Sequence, residues 1–178
     1  GEAAVTLEQL LKNTPATPEA LVMLGDIYYA AGSWQKAVQA FRSAEELLDP
    51  STGQWRHARL RRVEVMSERL GLFGEAENIL NDSLKTHRGD REMLALLARV
   101  RRGARNWDGV QEVLENLIRT AEPAEAVGLW VEAARVALAR NDTAQMNTCF
   151  GRAAQLSLQA PQSFHEVKTF ALERSPGD

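Results

Sequence analysis

The stretch from Pro18 to Pro50 constrains this chain more than any other. It places Leu21, Leu24, Gly25 and Tyr28 on one helical period, then Gly32-Ser33-Trp34, then Ala37, Phe41 and Ala44 on a second period, and it closes on Asp49-Pro50. Leu21, Leu24 and Tyr28 recur at the spacing of one apolar stripe. Gly25 has no side chain, so a second helix can come close there. Ala37 and Ala44 are small for the same reason, and Phe41 fills the gap between them. Thr17-Pro18 supplies an N-cap and a first helical residue, and Gly32 is a helix stop. A hairpin of this kind cannot bury its apolar face alone and must stack on neighbours, so further copies are expected.

This pattern resembles the tetratricopeptide repeat (TPR), a helix–turn–helix unit of about 34 residues with a W/L-x-x-L-G-x-x-Y, A-x-x-x-F, P signature. Leu21 stands in the first slot, and the closing Pro falls one residue late. The resemblance implies an all-α fold: a right-handed superhelical solenoid of antiparallel helix pairs, with about four repeats and flanking single helices. The expected divisions are 1–15 as the trailing helix of a preceding repeat, repeats at 16–50, 51–88, 89–121 and 122–161, a capping helix at 162–174 and a tail at 175–178. In the second repeat Leu60, Val63 and Ser67 stand where Leu21, Leu24 and Tyr28 stood, Glu64 replaces the Gly, and the first helix, from about Gln54 to Leu70, gains a turn. Phe73 and Trp107, 34 residues apart, repeat the aromatic that Trp34 places at the turn. In the fourth repeat Trp130, Ala133, Ala134 and Ala137 form the first helix, Met146, Phe150 and Ala153 the second, and Asp142 caps it.

Composition narrows the chemistry. The 178 residues are 44% hydrophobic and only 6% aromatic, which favours close-packed helices over a sheet. No run is long and apolar enough to span a membrane. Gly1 in place of Met reads as a cut end, and Leu7, Leu10 and Leu11 lack a preceding partner helix. Further repeats before Gly1, or self-association through an exposed end, are both open. A single cysteine, Cys149, forms no intrachain disulfide, which suits the cytoplasm and does not exclude a bacterial periplasm.

No catalytic constellation stands out, and neither an enzyme activity nor a cofactor is expected. His57, His87 and His165 are scattered, with no partner at metal-ligand spacing. Gly71-Leu72-Phe73-Gly74 is an interhelix turn rather than a phosphate cradle. Glu45-Glu46 and Glu75/Glu77 read as solvated faces.

What remains is a surface. The formal charge of −3 is uneven: Arg56 to Arg105 holds 12 Lys/Arg against 7 Asp/Glu. The resemblance implies that first helices line a concave groove for a partner segment. Helical phase puts Glu19, Val22, Met23, Asp26 and Tyr29 inward, then Arg61, Arg62, Val65, Glu68 and Arg69, then Glu92, Ala95, Leu96, Arg99 and Arg102, then Val131, Glu132, Arg135 and Leu138. Tyr29, Arg61, Arg62, Arg69, Arg99, Arg102 and Arg135 are therefore the candidate binding residues, and an acidic protein segment is the expected partner, because Arg pairs bidentately with carboxylates. The competing reading has the same arginines paired with Glu64, Glu68, Glu92 and Glu132 on a solvated face. Val22 and Asp26 argue against the Lys/Asn clamp for chaperone C-termini. The resemblance implies a scaffold, of the kind that assembles bacterial secretion, polysaccharide-export or other envelope machines. The alternatives are an RNA-binding helical repeat, against which Gly25, Tyr28 and the overall acidity argue, and the regulatory arm of an enzyme.

Overall fold

Thr17 accepts a hydrogen bond from the Ala20 amide at 3.3 Å, and Pro18 opens the first helix. From here to residue 174 the computed structural model describes the chain, and all its regular structure is helical among those residues. The expected helix around Leu7, Leu10 and Leu11 and the tail 175–178 lie outside the described residues. The helices are α1 (Pro18–Ala30), α2 (Trp34–Leu47), α3 (Gly53–Glu68), α4 (Phe73–Thr86), α5 (Arg91–Gly103), α6 (Trp107–Arg119), α7 (Pro123–Ala139), α8 (Thr143–Ser157) and α9 (Phe164–Arg174), with a 3₁₀ turn at Pro161–Ser163 before α9. The chain divides into two compact units, Gly1–Leu96 and Leu97–Asp178, and the division falls inside α5.

In the first unit α1 packs on α2, both pack on α3, and α3 packs on α4. Leu24, Tyr28, Ala37, Phe41 and Ala44 form the buried centre of the first hairpin, and Ala58 of α3 joins them. Gly25 is what lets the helices meet. A Cβ built there would lie 2.5 Å from Cε1 of Phe41, whose side chain is wholly buried. Helix α3 has 16 residues against 13 in α1, close to the extra turn that the longer second repeat requires. Leu60, Val63 and Ser67 are buried in it, at the positions matched to Leu21, Leu24 and Tyr28. Glu64, in the slot of Gly25, is instead turned to Arg61, 2.9 Å away.

The second unit continues the scheme. Helix α6 packs on α7, α7 on α8, and α9 covers both α7 and α8. Val127, Val131, Ala134, Met146, Cys149, Ala153 and Phe170 fill its core. Caps set the boundaries: Asn106 accepts from the Gly109 amide at 3.0 Å, and Asp142 accepts from the Gln145 amide at 2.9 Å.

One device ends the first helix of every hairpin. A residue with left-handed backbone follows it: Gly32 (φ 70), Gly71 (φ 68), Arg105 (φ 57) and Asn141 (φ 60). In three of the four, the next amide donates back five residues, as a helix-terminating turn requires: Ser33 to Tyr28, Asn106 to Arg101 and Asp142 to Ala137.

Candidate partner-binding surfaces

The face of α1 that phase turned inward is open and mostly apolar. Met23 is 58% exposed, and Val22, Ile27 and Ala30 flank it. With Glu19 and Asp26 on α1 and Gln54 on α3, they line a groove of about 530 Å³. Its polar wall is built by α3. His57 Nε2 lies 3.3 Å and Arg61 Nε 3.7 Å from the Asp26 carboxylate. The Arg61 guanidinium also sits over the Tyr29 ring, 3.9 Å from its centroid. Tyr29 meets Trp34 edge-on at 5.5 Å, and Arg69 lies 5.0 Å over the Trp34 indole. So Tyr29, Arg61 and Arg69 belong to one aromatic–cationic ledge.

Arg62 departs from the expectation. It lies one position past Arg61 and turns into the α2–α3 junction, where its side chain is 12% exposed and stands 3.2 Å from Glu45. Arg59 approaches the same carboxylate at 2.9 Å and covers the Trp55 ring at 4.4 Å. Glu45 is no solvated face either, since its side chain is only 5% exposed. Burial pushes its carboxyl above the usual range, while Arg62 and Arg59 pull it down. Burial likewise pulls the Arg62 guanidinium below its ordinary value. The attraction is one of charge more than alignment: Glu45 Oε1 and the Nε of both arginines are buried without a well-formed hydrogen bond. Arg62 is a structural partner of Glu45, mostly buried rather than on the open face.

Val65, Leu96 and Val131 also depart from their inward phase. Each is buried. Arg56, which phase did not single out, takes Glu92 and Asp90 together. This fork and the amides of Met93 and Glu92 hold the Asp90 carboxyl below the usual carboxylate range, with the Arg56 hydrogen bond the largest cause. Asp90 thereby caps α5, accepting from both amides at 3.0 Å.

In the second unit Arg99 and Arg102 stand exposed on α5. Arg102 Nη2 meets Glu132 at 2.6 Å, and Arg135 Nη1 reaches the other oxygen of that carboxylate at 3.3 Å. Arg135 also holds Glu173, with Nη2 3.2 Å from both oxygens and Nε 3.4 Å from one. Beside them a pocket of about 170 Å³ is lined by Arg102, Trp107, Glu132, Arg135, Val136 and Ala139. Arg61, Arg102 and Arg135 thus have the carboxylate neighbours, Glu64 and Glu132, that the competing reading assigned to them.

Among the described residues, no group of three or more His, Cys, Asp or Glu side chains is placed to hold a metal ion. Burial pushes the Cys149 thiol up, away from a reactive thiolate. No described helix is long and apolar enough to cross a membrane.

Residues 1–51 match the model of the tetratricopeptide repeat. Among curated proteins, none matches this sequence. Solved structures share the fold at low identity. MamA from Desulfovibrio magneticus RS-1, residue 41 to its end, is 18% identical with a TM-score of 0.68, over 89% of this chain and 85% of that one. PilF of Pseudomonas aeruginosa is 17% identical with a TM-score of 0.57, over 94% and 71%. PilW, described as a widely conserved type IV pilus biogenesis factor, is 20% identical with a TM-score of 0.52, over 94% and 89%.

Proposed function

We propose that this chain, a tetratricopeptide-repeat protein by its matched residues 1–51 and by its fold, is a non-catalytic scaffold that holds a segment of a partner protein. The observation that carries the reading is the open groove on α1. Met23, Val22, Ile27 and Ala30 expose apolar surface there, and Asp26 on its wall stands 3.7 Å from Arg61, whose guanidinium faces Tyr29. Exposed apolar surface rimmed by polar groups marks interaction sites. An apolar side chain of the partner fills the groove, and acidic residues of the partner meet Arg61 and Arg69 beside it; in the other unit, taken by itself, Arg99, Arg102 and Arg135 are the candidate carboxylate contacts. The likeness to PilF and to a pilus biogenesis factor supports a place in assembling a bacterial envelope or secretion machine.

Affinity capture with the wild-type chain, Met23→Glu and Arg61→Glu tests the proposal. Met23 is exposed, so the first variant should melt as wild type does while losing the captured protein. A partner that both variants retain would move the site off this face. Nuclease-sensitive capture would put RNA in place of protein.

A further inference from the structure

We infer that Arg102 and Arg135 form an exchangeable carboxylate subsite, now occupied by the chain's own Glu132 and Glu173, and that an acidic segment of a protein partner enters it by displacing Glu173. The inference rests on reading the first helices as the docking face, and it adds the chemistry of what docks on the second unit.

The two internal carboxylates are held differently. Glu132 lies between two guanidiniums, with one oxygen on each, and its side chain is 30% exposed. Glu173 is 50% exposed and meets Arg135 alone among the contacts that bind these four side chains together. It lies in the last turn of α9, past the Val167 and Phe170 side chains that bury that helix in the core. Glu173 can therefore swing into water without lifting α9. An ion pair between half-exposed groups contributes little to stability, so its loss is a small obstacle to exchange. The edge of Arg135 that it vacates, Nε with Nη2, is the edge that grips a carboxylate side-on.

The adjoining pocket decides what kind of carboxylate enters. Trp107, Val136 and Ala139 give it an apolar wall beside the arginines. A free anion would leave that wall uncovered. A peptide segment with an acidic residue beside an aliphatic one satisfies both: the carboxylate replaces Glu173 on Arg135, and the aliphatic side chain covers Trp107. Glu132 stays and fixes both guanidiniums. Glu173 thus sets a threshold that only an acidic ligand of this kind passes.

The test follows the Trp107 indole N–H by NMR in the full chain during titration with a helix-forming Glu/Leu peptide, its Lys/Leu counterpart and an RNA oligonucleotide. The Glu/Leu peptide should shift Trp107. Binding should tighten about threefold in Glu173→Gln and weaken about tenfold in Arg135→Gln and Arg102→Gln, as expected for losing one partner of a charge pair. Should Arg135→Gln unfold, Arg135→Lys keeps the charge, loses the fork and should still weaken binding several-fold. A Trp107 signal that stays still in both wild type and Glu173→Gln, or moves equally with the Lys/Leu peptide, overturns the proposal. So does RNA that shifts it where the Glu/Leu peptide does not. Capture that depends on Met23 while Trp107 stays silent removes this subsite alone. The reverse result removes the α1 groove alone.

Discussion

Replacing Gly25 by Ala should destabilise the first unit, although Ala is the better helix former. The substitution gains about 1 kcal/mol in helix propensity. Steric crowding against Phe41 outweighs that gain. The new methyl would lie 2.5, 2.6 and 2.9 Å from Cε1, Cδ1 and Cζ of Phe41. Carbon atoms pack best at about 3.5–4.0 Å, so the ring must retreat by about 1 Å. Phe41 is wholly buried and shares its cluster with Ala37, Ala40 and Ala44, each nearly or fully buried, so no open space receives it. Overpacking of this kind costs about 1–3 kcal/mol, and here the upper part of the range applies. The net loss is about 1–2 kcal/mol, read as a lower urea midpoint at unchanged slope. Gly151→Ala is the control. It sits inside α8 with nothing within 4 Å of its built Cβ, and should stabilise by about 0.5–1 kcal/mol. Phe41→Leu, combined with Gly25→Ala, should recover part of the loss. Gly25→Ala as stable as wild type, with no coupling to Phe41→Leu beyond about 0.3 kcal/mol, would refute the close-approach argument.

Two further outcomes follow from the ion pairs. Glu45→Ala strands Arg59 and Arg62 in the α2–α3 junction and should cost about 3–5 kcal/mol by urea unfolding; a loss under about 1 kcal/mol would show that water already screens the cluster. Asp90 titrates below the usual carboxylate range when folded, so its contribution is present above about pH 4 and is lost as pH falls through the folded value. The stability gap between wild type and Asp90→Asn should therefore close as pH is lowered from about 6 to about 2, and a gap that stays constant would detach Asp90 from Arg56.

The first hairpin was legible because its defining residues answer to local geometry. Gly25 needs Phe41 opposite it, and Ala37 and Ala44 flank that ring on the same helix. Trp34 at the turn and Asp142 at a helix start were legible on the same grounds. The arginines were not, because helical phase gives a direction without saying what lies across it. Arg61 and Arg62 are neighbours in sequence, yet one lies on Tyr29 and the other is buried against Glu45. A trace of the second fate was present: Glu45 follows Ala37, Phe41 and Ala44 on the buried stripe of α2, and Arg59 and Arg62 stand three apart on α3. Glu46 beside it, 63% exposed and paired with Arg42, made the pair look solvated. The exchangeable role of Glu173 had no local mark, since it depends on α9 returning to α7.

The left-handed turns after α1, α3, α5 and α7 bear on how the chain acquires its structure in time. Each closes a hairpin whose two helices are consecutive, and among the described residues the helix contacts within each unit join neighbours or next-but-one neighbours in sequence. Among the described residues these contacts wait for no helix made much later. During synthesis the α1–α2 pair can close on Gly32 as soon as Leu47 has emerged, and α3 then finds the Glu45 carboxylate already in place for Arg59 and Arg62. Structure can be laid down in the order of translation, hairpin upon hairpin, with the apolar face that one pair leaves open covered as the next arrives.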